Sequence, residues 1–209
     1  MAVAQGTVAP HQHVADKPLE YQNPVQSVKI LGFWIFLATD MLLFGCLFAT
    51  YLVLRTHTDG GPTPHDIFDV RGFTIETFVL LTSSFTGGMS TLAMRNGNKR
   101  QLLTWLIVTI ALGLTFVGFE ASEFVSDALR GATMQRSAFL SAFFTLVGTH
   151  GTHVSIGIIW MIVTAIQVAK KGINPISARK VFVVNLYWHF LDVVWVFIFT
   201  VVYLSGVVM

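Results

Sequence analysis

Five apolar runs, each long enough to cross a bilayer, constrain this chain more than any motif it carries. They cover residues 30–54, 72–94, 102–124, 138–169 and 181–208. A spanning helix needs about 20 largely apolar residues. Inside lipid, every backbone N–H and C=O must be satisfied within the segment, so the runs are expected to be helices. Composition removes the soluble alternative. Only 11% of the residues are charged and 54% are apolar, whereas a soluble domain carries about 25% charged residues. The expected fold class is an all-α integral membrane protein, a five-transmembrane-helix bundle. Residues 1–28 are polar and contain proline, and they read as a disordered cytoplasmic tail in which His11 and His13 are solvated. Residues 29–209 read as one transmembrane domain. The fourth run exceeds what the bilayer demands and is expected to tilt or project beyond one face.

Basic residues alternate between the connections. Lys17, Lys29, Arg95, Lys99, Arg100, Lys170, Lys171, Arg179 and Lys180 fall on one side. Arg55, Arg71, Arg130 and Arg136 fall on the other, diluted by Asp59, Asp66, Asp69, Glu123 and Asp127. The positive-inside rule then puts the N-terminus in the cytoplasm and the C-terminus outside, in the periplasm. No connection is long enough for a soluble domain, and no nucleic-acid partner is expected. No inverted repeat of the transporter kind appears. Gly87-Gly88, Gly148 and Gly151 read as points of close helix contact. Trp34, Trp105, Tyr187, Trp188 and Tyr203 lie toward run ends, where aromatic belts form. The single cysteine, Cys46, excludes an internal disulfide and any multi-cysteine metal site, and it reads as a small core residue.

The informative residues are the ionisable ones inside the runs: Asp40, Glu76, Glu120, His150, His153, His189 and Asp192. A charge at the bilayer centre costs roughly 2.5–3.5 kcal/mol or more, so these groups must face protein, pair or stay neutral. Spacing of three puts His150 with His153, and His189 with Asp192, on common helix faces. Hydrogen bonding between those two faces is one expectation. A second is proton handling, most apt for Asp40, which has no basic residue in its own run. A third is bis-histidine haem ligation by His189 with His150 or His153. Two haems and copper would exceed the ligands present, so the chain is not a complete oxidase alone.

The residues resemble a known family. Residues 187–206, YWHFLDVVWVFIFTVVYLSG, resemble the last helix of subunit III of the haem–copper oxidases. FFTLVGTHGTHVSIG at 143–157 resembles the preceding helix with its paired histidines, and GFEASEF at 118–124 the acidic end of the helix before that. GFWIFLATDMLLFGCLFATYLVL at 32–54 resembles the helix bearing the family's buried carboxylate, with Asp40 where many relatives have glutamate. The resemblance runs in order over about residues 32–206. The first two helices of the seven-helix form are missing. With FATYLVL and then GGPTPHDIF at 60–68, the chain is most similar to subunit III of the cytochrome bo-type ubiquinol oxidases. The aa-type quinol oxidases and five-helix cytochrome c oxidases are near neighbours.

The resemblance implies a non-redox accessory subunit of a proton-pumping bacterial inner-membrane complex that oxidises ubiquinol and reduces dioxygen to water. It implies that haems and copper belong to the large subunit I, and that this chain carries no cofactor and no catalytic centre. It further implies packing beside subunit I and the other oxidase subunits, bound phospholipid, and support of complex integrity and proton uptake. Asp40, Glu76, Glu120, His150, His153, His189 and Asp192 would form its buried polar or proton-linked framework. Two readings of another class stand beside it: a haem-binding membrane anchor and a stand-alone transporter.

Overall fold

The computed structural model describes residues 18–21, 24–58 and 70–208. Five long helices dominate these residues: α1 Pro24–Leu54, α2 Val70–Arg95, α3 Lys99–Leu129, α4 Ala138–Lys171 and α5 Pro175–Ile198. A π-helical stretch, Phe199–Leu204, and a last α-helical turn, Ser205–Val208, continue α5. A short 3-10 turn, Leu19–Tyr21, precedes α1. Four of the long helices are apolar and long enough to cross a membrane. The exception is α2, whose face carries Ser83, Ser84, Thr86, Ser90 and Thr91.

Local chemistry sets the helix ends. Asn98, Ser137 and Asn174 cap α3, α4 and α5, each side chain accepting a backbone N–H three residues on. Each bond satisfies one of the donors a helix start leaves free. Pro175 follows its cap at the position where a missing N–H costs nothing. Gly97 and Gly172 take positive φ at the α2–α3 and α4–α5 links, a conformation open to glycine at no steric cost. Lys170 and Lys171 sit in the last turn of α4, where cations favour the helix dipole.

The most enclosed helix is α5, which packs against α1, α2 and α4. By contrast, α1 lies at the edge. Among the described residues, its buried apolar side chains are Ile30, Leu37, Phe44 and Tyr51, one every seventh position, with Asp40 three beyond Leu37. A seven-residue repeat keeps a single seam on a neighbouring helix. The rest of α1 is largely exposed apolar surface, including Leu31, Ile35, Leu42 and Val53.

Several expectations are corrected. Residues 24–28, read as part of a tail, belong to α1, which begins at Pro24, and Glu20 is buried in an ion pair with Arg95 at 2.8 Å. Tyr21 meets Phe182 edge to face, and burial beside Glu20 pushes its hydroxyl up from the ordinary tyrosine range. Residues 1–17, with His11 and His13, lie outside the described residues, as does GGPTPHDIF at 60–68. Cys46 is exposed, because it falls off the seam of α1. Tyr187, Trp188 and Tyr203 are buried rather than belt residues, because α5 is enclosed along its length. Trp34 remains half exposed. Gly87 does sit close to a neighbour, 3.3 Å from the Asn185 amide oxygen when a Cβ is added, whereas Gly88 faces open space.

Candidate functional site

The buried polar groups form three clusters beside a ladder of hydrogen bonds, which meets one of them at His189. The ladder runs between α2 and α5. The Trp195 indole N–H donates to the Thr77 hydroxyl at 3.1 Å, and the Trp188 N–H donates to Ser83 at 3.0 Å. Ser84 meets His189 Nδ1 at 2.8 Å, and the Asn185 amide donates to Ser90 and Thr91 at 2.8 and 3.0 Å. Thr77, Ser84 and Thr91 are seven apart, as are Ser83 and Ser90, and Trp188 and Trp195. Apart from His189, sequence reasoning assigned no residue of the ladder to a site, and it passed over the α2 hydroxyls. Their heptad spacing within the least apolar run was the available cue. Each such bond is worth only about 0.6 kcal/mol in a membrane, so the ladder sets register more than strength.

The first cluster joins α1 and α4. His153 Nδ1 lies 2.7 Å from the Thr149 carbonyl, which only accepts, so Nδ1 carries the hydrogen. Its Nε2 then faces Asp40 Oδ2 at 3.9 Å, beyond hydrogen-bond distance. The Tyr187 hydroxyl donates to the His153 carbonyl at 3.3 Å. His150 is fully buried. Its Nε2 donates to the Leu191 carbonyl at 3.2 Å, and Phe44, Phe116 and Trp195 surround the ring.

The second cluster lies on α5 facing α2. His189 Nδ1 is 3.8 Å from Asp192 Oδ2 and also meets Ser84. Serine and carboxylate thus address the same ring nitrogen. A nucleophilic relay needs them on opposite nitrogens, so this trio is not built for acyl transfer. The expected bonding between the His150/His153 and His189/Asp192 faces does not form. α5 instead offers α4 its backbone at Leu191 and turns His189 toward α2. His150 is sealed among aromatic rings, whereas the His189 side chain is 40% exposed and turned to Ser84 on α2. Among the described residues, no three His, Cys, Asp or Glu side chains converge as a metal site.

The third cluster holds Glu76 of α2 and Glu120 of α3. Both are buried and lie within each other's electrostatic reach, with Glu123 beside them. Glu120 rests on α4 at Gly151, where an added Cβ would stand 2.6 Å from both carboxyl oxygens. Only the absence of a side chain there lets the carboxyl in.

Two surface features flank α1 and α5. An apolar groove of about 380 Å³ is lined by Trp34, Leu37 and Met41 from α1 and by Leu186, Phe190 and Val193 from α5. A second cleft of about 300 Å³ is lined by Lys29, Arg179 and Lys180 together with Phe33 and Trp160. Lys180 donates to Gln167, while Arg179 Nε is buried without a partner.

A family model described as cytochrome c oxidase subunit III matches residues 19–207. The chain is 50% identical to the quinol oxidase subunit 3 of Bacillus subtilis over 192 residues, covering 92% of this chain and 94% of that one. It is 49% identical to the cytochrome bo(3) ubiquinol oxidase subunit 3 of Pseudomonas putida over 178 residues, or 85% and 86% of the two chains. It is 47% identical to the cytochrome c oxidase subunit 3 of Bacillus sp. (strain PS3) over 180 residues, or 86% and 87%.

Proposed function

The chain belongs to the cytochrome c oxidase subunit III family and is subunit III of a terminal oxidase, a multi-pass membrane protein within an oxidase complex; from that premise we propose that it serves a ubiquinol-oxidising complex of the bo type in the bacterial inner membrane. The complex reduces dioxygen to water, with haems and copper held by the large subunit against which this chain packs. The observation that carries this reading is 50% and 49% identity, over most of the chain, with two relatives named as quinol oxidase subunits. A cytochrome c donor is the second reading, favoured by the relative from strain PS3. Extraction in mild detergent followed by mass spectrometry is expected to recover the chain with a haem–copper subunit. The complex should consume oxygen with ubiquinol and not with reduced cytochrome c. Reversed donor preference moves the chain to the second reading, and recovery of the chain alone overturns both.

All five long helices cross the membrane in this proposal, with the N-terminus inside and the C-terminus outside. The basic α2–α3 and α4–α5 links lie at one end, where Lys99 donates to the Ala169 carbonyl at 2.8 Å. Backbone from α1 and α4 meets at the other, through Phe139 and His57. A cytoplasmic basic end fits the positive-inside rule. Asp40, Glu76, Glu120, His150, His153, His189 and Asp192 act as the internal polar or proton-linked framework.

The clefts beside α1 support phospholipid binding. An anionic headgroup finds Lys29, Arg179 and Lys180, and an acyl chain finds carbon along the neighbouring groove. Arg179 presents a fork of donors that matches a phosphate. Arg179→Ala is expected to lower the phospholipid retained per complex by about one molecule, read by lipid mass spectrometry after gel filtration. Arg179→Lys, which keeps the charge without the fork, should retain part of it. Unchanged lipid in the alanine variant removes the headgroup assignment.

A further inference from the structure

Glu76 and Glu120 stand apart from the ladder and from the Asp40 pair. Glu76, on the second turn of α2, is 1% exposed, and neither of its carboxyl oxygens has a hydrogen-bond partner. Glu120 is 5% exposed, and its Oε1 also lacks a partner. A buried polar group without a partner costs a folded chain about 1–3 kcal/mol, and more if charged, so three such oxygens on two packed helices call for a ligand or a function.

The surroundings narrow what that ligand is. Among the described residues, the charged neighbours that act on Glu76 are Glu120 and Glu123, both from α3. Glu123 likewise acts on Glu120. From the π-helical stretch after α5 comes Tyr203, fully enclosed and in the field of Glu76, Glu120, Glu123 and Asp127. From α4 comes backbone at Gly151, and the nearest titratable group there, His150, is turned to the Leu191 carbonyl. Two buried carboxyls from different helices therefore lie within electrostatic reach of each other. Like charges so placed do not both ionise independently. A π-helical turn is itself a rare device that recurs at functional sites, and here it supplies the aromatic wall.

We propose that Glu76 and Glu120 form a two-carboxyl proton-binding site that takes up and releases protons as one coupled unit. The ligand is the proton. The site passes from neutral through one negative charge to two as the protons leave, and the second leaves against the charge left by the first. Loss of one carboxyl therefore changes the behaviour of the other. The site depends on the meeting of α2, α3 and α4, and it stands whether or not the donor is a quinol.

Infrared spectroscopy of the intact complex tests it, following the carbonyl stretch of protonated carboxyls across pH. The native complex is expected to lose intensity in two steps separated by more than about one pH unit, the signature of interacting groups. Either Glu76→Gln or Glu120→Gln should remove the upper step and leave a single step near the lower one, because the remaining carboxyl no longer titrates against a charge. If Glu76→Gln removes one step and Glu120→Gln the other, the groups are independent and the proposal fails. It fails equally if neither variant alters the carboxyl region. Should the glutamine variants not assemble, Glu76→Asp retracts one carboxyl by a methylene and should narrow the gap between steps. An unchanged gap overturns the coupling.

Discussion

Gly113→Ala is expected to destabilise the junction of α3, α4 and α5 by about 1–3 kcal/mol, the usual cost of overpacking a filled core. The added Cβ would stand 2.7 Å from Cη2 of Trp188 and 3.3 Å from Ile158. Neither neighbour yields easily. The Trp188 ring is buried, its N–H is held by Ser83, and its other edge lies 3.3 Å from where a Cβ on Gly157 would stand. Thermal release of this subunit from the solubilised complex measures the effect as a lowered midpoint. Trp188→Phe removes the atoms that collide but opens a cavity and frees Ser83, so it too should destabilise. The double variant should cost clearly less than the two singles together, because the collision is then absent. Strict additivity would show that Gly113 and Trp188 do not share the space assigned to them.

Arg95→Ala should release the turn that precedes α1. Its guanidinium holds Glu20 Oε1 through Nε at 3.2 Å and through a terminal nitrogen at 2.8 Å. Removing one partner of a buried pair costs roughly 3–5 kcal/mol. Here the Arg95 side chain is 48% exposed, so solvent screens the pair and about 1–3 kcal/mol is the appropriate scale. Hydrogen exchange read by mass spectrometry should show protection of Leu19–Tyr21 falling about ten- to hundredfold, at 1.4 kcal/mol per decade. Arg95→Lys should keep part of that protection. Adding Glu20→Gln to Arg95→Ala should restore some of it, because no charge is then left stranded. Protection unchanged in Arg95→Ala would mean that the Tyr21–Phe182 contact alone holds the turn.

Much of the site was legible as residue identity and little of it as geometry. Asp40, Glu76, Glu120, His150, His153, His189 and Asp192 stood out because ionisable groups are scarce in apolar runs, and all but the two flanking histidines, His153 and His189, are buried. Their partners were not legible. Asp40 found His153 across two helices, and His189 turned to Ser84 on α2 rather than to α4. The serines and threonines of α2 passed unnoticed because single hydroxyls in a run look like tolerated polarity.

Run length sufficed to place five long helices to within about six residues at their ends, the form expected of apolar runs whose backbone must satisfy its own hydrogen bonds. Scarcity of charge sufficed to mark the residues worth following. Which side of each helix faces inward did not follow from the chain. In a soluble helix the apolar stripe marks the core, but α1 carries Leu, Ile and Phe on every side, and only packing distinguishes Leu37 and Phe44 from Leu31 and Leu42. When the surroundings are as oily as the interior, the pattern that normally points inward is erased, and contact between helices must supply it.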